Sequence, residues 1–144
     1  MFDPSRDQVR QFFFETWRKY REGAALTPLE GMALQVELAH GEYHPVLDDP
    51  ERYREQEYFP EMGATNPFLH MSLHLSILEQ LSIDQPPGIA AAYQSLLQKH
   101  GEAHPAQHDL MDCLAETVWR AQRDRAAPDA AAYLACMHKK TSEL

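Results

Sequence analysis

The residues with the clearest chemical meaning in this sequence are three pairs of histidines. The two members of each pair are four residues apart, so on a helix they would lie one turn apart on the same face. The pairs are His40/His44, His70/His74 and His104/His108. Histidine is the commonest metal-binding side chain in proteins, and two imidazoles on one helical face can reach one ion. Because six of the eight histidines fall into these pairs, the sequence predicts a metal site between helices.

Carboxylates accompany two of the pairs. Glu37 precedes His40 by three residues, and Asp112 and Glu116 follow His108 at four-residue intervals. A mixed set of imidazoles and carboxylates suits iron, zinc or manganese better than a metal that prefers thiolates. The predicted first-choice ligands are Glu37, His40, His70, His74, His108 and Asp112. The second-choice ligands are His44, His104 and Glu116.

The apolar pattern around the histidines predicts which of them are buried. Apolar residues surround most of the helix that carries His70 and His74, so both imidazoles should lie in the core. His40 falls at the centre of an apolar face, whereas the face with His104 and His108 is equally compatible with solvent. A buried imidazole needs a partner for each ring nitrogen, which either a metal ion or core hydrogen bonds can supply. Both interpretations stay open at this point.

The elements that would position these residues are helices, because the apolar spacing is helical almost throughout and prolines separate the segments. Thr27-Pro28 and Asn66-Pro67 each place a capping residue before a proline, which predicts a helix start. The predicted helices cover residues 3–22, 28–44, 67–84, 89–100, 102–125 and 130–139, with a short helix around 51–57. The predicted fold is all-α, a single-domain helical bundle of five to six helices over residues 1–144.

Length and composition limit the class of protein. The 144 residues suit one domain with a sizeable core. The chain has 13 basic and 22 acidic residues, and the net charge of −9 argues against nucleic acid or an anionic membrane as a partner. No apolar run is long enough to span a bilayer and the N-terminus lacks a signal-peptide pattern, so we expect a cytoplasmic protein. Cys113 and Cys136 have no CxxC spacing and are expected to be packed thiols.

Two segments of the chain carry a family resemblance. They are residues 66–74, with the sequence NPFLHMSLH, and residues 84–89, with the sequence DQPPGI. They resemble a family of small bacterial proteins that is described only as a domain of unknown function, and the resemblance extends over most of the chain. It implies a small, cytoplasmic bacterial protein and implies no activity.

A second resemblance concerns architecture alone. Hemerythrin-like bundles bind two irons through His-x-x-x-His and His-x-x-x-Glu pairs, and the spacing of His70/His74 and His108/Asp112 is similar. Ferritin-like di-iron bundles use two Glu-x-x-His pairs, whereas this chain has only Glu37-x-x-His40. A small bundle that holds zinc or nickel through one His-x-x-x-His pair and a third histidine is a further alternative.

The sequence leaves the reaction open. Bound iron would imply redox or O₂-related chemistry, whereas bound zinc with an open position would imply hydrolysis with Glu37 or Glu116 as the base. The alternative from another class is a non-catalytic interaction or structural protein whose histidines are hydrogen-bonded core residues. The sequence contains no phosphate-binding loop and no serine or cysteine nucleophile pattern. The predicted partner is a metal ion, and the oligomeric state stays open, a homodimer included.

Overall fold

The structure is a computed structural model that describes residues 5–58 and 66–142. These two ranges contain eight α-helices, one 3-10 turn and no strand, so the predicted all-α class is confirmed. The helices are α1 (Arg6–Glu22), α2 (Pro28–Ala39), α3 (His44–Leu47), α4 (Pro50–Tyr53), α5 (Pro67–Ile83), α6 (Ile89–His100), α7 (Ala103–Asp124) and α8 (Ala130–Ser142).

The predicted number of five to six helices is too low for the described ranges, because two short helices, α3 and α4, lie between α2 and α5. The predicted second helix does not reach His44 but ends at Ala39, and the 3-10 turn Gly41–Tyr43 follows. The separate helix α3 then begins at His44. The predicted short helix around 51–57 is present as α4, but it ends at Tyr53.

Local capping signals account for the helix starts. Ser5 and Thr27 form capping boxes with Gln8 and Glu30, in which side chains and backbone N–H groups pair reciprocally. The side-chain oxygen of Asn66 accepts hydrogen bonds from two backbone N–H groups in the first turn of α5. The first helix begins at Arg6, and the predicted earlier start at residue 3 lies outside the described residues.

The chain divides into two compact units, and the division falls between Leu75 and Ser76, inside α5. In the first unit, α1 packs against α2 and α3. Its buried apolar residues are Phe13, Phe14, Trp17, Ala33, Val36, Leu47, Phe68, Met71 and Leu75. The single domain over residues 1–144 stays a prediction.

A buried arginine holds the segment after α4 in the first unit. Arg10 on α1 is only 1% exposed, and its Nη1 donates to the backbone carbonyls of Tyr53, Arg54 and Gln56 at 3.3, 3.0 and 2.8 Å. Its guanidinium also lies 4.7 Å from the centre of the Phe68 ring, in the first turn of α5. Burial lowers the pKa of the Arg10 guanidinium. Arg10 therefore connects α1 both to the segment after α4 and to α5, the helix that carries His70 and His74.

In the second unit, each of α6, α7 and α8 packs against the other two. The apolar residues buried there are Ile77, Ile89, Ala92, Leu96, Ala106, Leu110, Met111, Cys113, Leu114, Tyr133 and Met137. The buried Tyr133 hydroxyl donates to Oε1 of Gln80 at 2.6 Å, which connects α8 to the end of α5. The second unit therefore has an apolar helical core, and a hydrogen bond ties α8 to the end of α5.

A disulfide bond joins Cys113 on α7 to Cys136 on α8. The expectation that these residues are packed thiols is therefore wrong. They are 23 residues apart in sequence and belong to no short motif, but the packing of α8 on α7 brings their Cα atoms within 5.8 Å. That distance is within the range that a disulfide requires.

A transmembrane helix needs about 20 predominantly apolar residues. None of the described helices combines enough length with enough apolar character to cross a membrane. The compartment in which the protein resides stays a prediction.

Candidate metal centre

Three histidines of the first unit converge from two separate stretches of the chain. His40 directly follows α2, and His70 and His74 lie one turn apart on α5. One ring nitrogen from each lies within 4.8 Å of the others, and Nε2 of His40 is 2.9 Å from Nε2 of His70. Residues from separate stretches of the chain therefore meet here, as a metal site between helices requires. We call these residues the three-histidine cluster.

The end of α2 determines how the His40 ring is oriented. The backbone of His40 is not helical (φ −124°, ψ 69°), and its N–H bonds to the carbonyl of Glu37. Nδ1 of His40 lies 2.7 Å from the carbonyl oxygen of Val36, one of the carbonyls that a helix end leaves without a backbone partner. Because a carbonyl can only accept, Nδ1 must carry the proton in this contact. Neutral His40 therefore presents the lone pair of Nε2 toward His70.

Packing around the cluster restricts water and fixes the rings. His40 and His74 are each 1% exposed, whereas His70 is half-buried, which corrects the expectation that both α5 histidines are fully buried. The His40 ring meets His74 edge-on, with 5.1 Å between the ring centres. The Tyr43 ring stacks on His40, with 5.4 Å between the ring centres, and meets His70 edge-on at 5.7 Å. Tyr43 thus forms one aromatic wall of the cluster.

Glu37 is a buried acid one helical turn before His40. Its side chain is fully buried, and neither carboxyl oxygen has a hydrogen-bond partner within the described part of the chain. Burial raises the pKa of Glu37 to about 8. Its oxygens are not among the ligand atoms that lie mutually close, so the structure does not bring this first-choice ligand into the cluster. An unpaired buried carboxyl is costly, and a nearby cation would offset that cost.

His44 lies outside the cluster and contacts the end of α2. It does not share a helix with His40, because the chain changes direction in the 3-10 turn between them. Nε2 of His44 lies 2.7 Å from the carbonyl oxygen of Glu37, and its ring packs 4.5 Å from Trp17. His44 therefore ties α3 to the end of α2 and is not a member of the three-histidine cluster.

The third histidine pair lies on α7 in the second unit. The rings of His104 and His108 are 4.0 Å apart, so the two share one helical face, as their spacing predicts. His108 is half-buried and His104 is exposed. Their roles as ligands stay predictions.

The two predicted carboxylate ligands on α7 are exposed to solvent. Asp112 is 72% exposed and pairs with Lys140 on α8 at 3.5 Å. Glu116 is 53% exposed and pairs with Arg120 at 2.6 Å. These contacts are typical of a solvated helix face, so we leave both carboxylates out of the ligand set proposed below.

The donor set of the cluster fits a transition-metal ion. Imidazole nitrogens bind zinc at about 2.0–2.1 Å, so two ligands of one ion lie roughly 3 Å apart, as Nε2 of His40 and Nε2 of His70 do. The hydrogen bond from Nδ1 of His40 to a backbone carbonyl is the orientation typical of metal-binding histidines. The three-histidine cluster therefore permits a metal site.

Two features of the site were not anticipated from the sequence, namely the Tyr43 wall and the contact between His40 and the Val36 carbonyl. Both follow from the end of α2 at Ala39, which the helical spacing of His40 and His44 obscured. Gly41, four residues before Pro45, was the available signal, because glycine disfavours a helix interior. An earlier helix end would have separated His40 from His44.

Comparison with known proteins finds a match to one family model, and the description of that family names no activity. Residues 5–139 match the model of a family described as "Domain of unknown function (DUF1841)", which agrees with the resemblance inferred from residues 66–74 and 84–89. No curated protein and no solved structure shows a significant match to the chain.

Proposed function

We propose that this chain, which belongs to the family described as "Domain of unknown function (DUF1841)", binds one transition-metal ion through His40, His70 and His74. The observation that carries the proposal is the contact of Nδ1 of His40 with the Val36 carbonyl. It selects the tautomer whose Nε2 lone pair is directed at His70, with His74 alongside. A core histidine needs a hydrogen-bond partner, whereas a ligand also needs neighbouring ligands, and His40 has two.

The chemistry of the cluster favours zinc or iron over manganese. Imidazole ligands suit zinc and iron, whereas manganese prefers oxygen ligands, and the three close donors here are all nitrogens. A bound zinc ion with an open position would supply Lewis acidity, and bound iron would supply redox or O₂-related chemistry. The chain itself orients His40 through Val36, holds His70 and His74 on one face of α5, and stacks the Tyr43 ring on His40.

His108 is one of the first-choice ligands predicted from the sequence. We retain His108 as a proposed further ligand and test it separately. If it binds the ion, His108→Ala should weaken metal binding at least about tenfold, as expected for loss of one ligand or its support. His104→Ala is the matched control on the same helical face, and equal affinities in wild type and H108A would remove His108 from the site.

Metal content and thermal unfolding test the function directly. Protein purified without a histidine tag is expected to contain close to one zinc or iron per chain by elemental analysis. With free metal at 100 times Kd, binding to the folded state adds about 2.7 kcal/mol of stability, which corresponds to roughly 8 °C in Tm at this length. Removing the metal with a chelator should lower Tm by that amount. Absence of stoichiometric metal together with an unchanged Tm would identify the cluster as hydrogen-bonded core histidines.

Glu37 offers an independent prediction on stability. Glu37→Met replaces a buried carboxyl that has no partner in the described residues with an apolar chain of similar length. Without metal, we expect this variant to be more stable than wild type by about 2 kcal/mol in denaturant unfolding at neutral pH. With metal, it should bind the ion more weakly, because an acid near a cation favours binding.

The matched control for Glu37→Met is Glu42→Met, since Glu42 is an exposed acid in the neighbouring 3-10 turn. We expect this variant to change metal-free stability by less than about 0.5 kcal/mol. A metal-free Glu37→Met protein that is less stable than wild type would show that the Glu37 carboxyl makes a stabilising contact of its own.

A further inference from the structure

The disulfide of the second unit lines an open groove. The groove runs between α7 and α8 and has a volume of about 730 Å³. Both cysteines line it, together with Arg120 and Thr117 from α7 and Ala132 and Lys139 from α8. The space is large enough to admit a small organic molecule to the disulfide.

The two cysteines differ in their access to solvent. Cys113 is completely buried, whereas Cys136 is partly exposed. Thiol–disulfide exchange begins when a thiolate attacks one of the two sulfurs, and its rate depends on access to the sulfur that is attacked. Attack through the groove is therefore directed to Cys136, with Cys113 as the leaving group.

We propose that the Cys113–Cys136 disulfide is a thiol-exchange site at which a low-molecular-weight thiol reduces the folded protein through the α7–α8 groove. The thiolate attacks Sγ of Cys136, and a mixed disulfide forms while the Sγ–Sγ bond breaks. The electron pair leaves on Sγ of Cys113, which takes up a proton from water. A second thiol then attacks the small-molecule sulfur and releases Cys136 as a thiolate, which is also protonated. In total, two small thiols are oxidised to one disulfide, and the two cysteines gain two electrons and two protons.

Reduction is expected to loosen α8, because the disulfide is the covalent link between this helix and α7. Tyr133 and Met137 are its only buried residues within the described chain. Its polar connections are the hydrogen bond from Tyr133 to Gln80, the hydrogen bond from Nζ of Lys99 to the Lys140 carbonyl at 2.5 Å, and the ion pairs of Lys140 with Asp109 and Asp112. Surface ion pairs contribute little to stability. The disulfide is thus the strongest connection between α8 and α7, and the proposal does not depend on a bound metal.

The test measures reduction of the folded, oxidised protein by reduced glutathione in native buffer. Free thiols are trapped with iodoacetamide at successive times and counted by mass spectrometry. We expect the rate to rise in proportion to glutathione concentration and to stay unchanged in urea well below the unfolding transition. Attack on transiently unfolded protein would also scale with glutathione, but it would accelerate as urea raises the unfolded population. After reduction, the amides of α8 should exchange with deuterium at least about tenfold faster, while those of α1 should not change.

Two matched variants test the route. Ala132 lies one turn before Cys136 on α8 and lines the groove, so Ala132→Phe should cover the disulfide and slow its reduction about tenfold. Ala131→Phe adds the same ring at an exposed position that does not line the groove and should react like wild type. A disulfide that resists glutathione until the protein unfolds, or a rate independent of glutathione concentration, would overturn the proposal. The effect of low urea on the wild-type rate decides the matter even if Ala132→Phe does not fold, because a rate that rises with urea would place the attack on the unfolded state.

Discussion

Replacing His74 by glutamine or by leucine is expected to lower metal affinity at least about a hundredfold, because either change removes one of three imidazole ligands. His74 is 1% exposed and lies edge-on to His40, at the centre of the three-histidine cluster. Glutamine keeps part of the hydrogen-bonding capacity but is a poor ligand for zinc or iron. Isothermal titration calorimetry of metal-free protein with zinc measures the affinity of each variant.

The two substitutions also distinguish a ligand from a hydrogen-bonded core residue. If His74 is only a core residue, neither variant should alter metal content, and glutamine should be the milder change. Leucine should pack in place of the imidazole, so we expect the metal-free His74→Leu protein to lie within about 1.5 kcal/mol of metal-free wild type. His138→Gln, at an exposed position on α8, is the control and should bind metal like wild type. Full metal occupancy in both His74 variants would remove this residue from the site.

Arg10→Ala is expected to destabilise the protein by about 4 kcal/mol, because it removes a buried side chain and three hydrogen bonds from a charged donor. The carbonyls of Tyr53, Arg54 and Gln56 lose a common donor, and the Phe68 ring loses the guanidinium beside it. Urea unfolding followed by circular dichroism gives the free energy of unfolding for wild type and variant.

Two further Arg10 variants separate the causes of this loss. Arg10→Met retains much of the side-chain volume and should recover part of the stability, since it avoids the cavity. Arg10→Lys keeps the charge but has no planar fork, so it cannot reproduce the geometry of the guanidinium contacts. We expect it to remain at least about 1 kcal/mol below wild type. An Arg10→Ala protein within about 1 kcal/mol of wild type would show that water replaces Arg10 at these carbonyls without penalty.

The fold class and most helix ends were predictable because their causes are local. Capping residues followed by proline begin α2 and α5, and Gly101 ends α6 in the left-handed conformation that glycine adopts without strain (φ 73°). Each of these signals acts within a few residues, so it can be read from the sequence. The same locality explains the error at α2, where the four-residue spacing of His40 and His44 indicated one continuous helix but the chain turns at Gly41.

The amino-acid sequence by itself determined which residues could bind a metal and that helices would carry them. Only the tertiary structure decided which of them meet. His40 and His70 are 30 residues apart, and the packing of the first unit places their Nε2 atoms 2.9 Å from each other. The Val36 carbonyl orients His40, and helix packing pairs Cys113 with Cys136. These contacts depend on how separate helices pack, and periodicity along one helix carries no information about the distance to another.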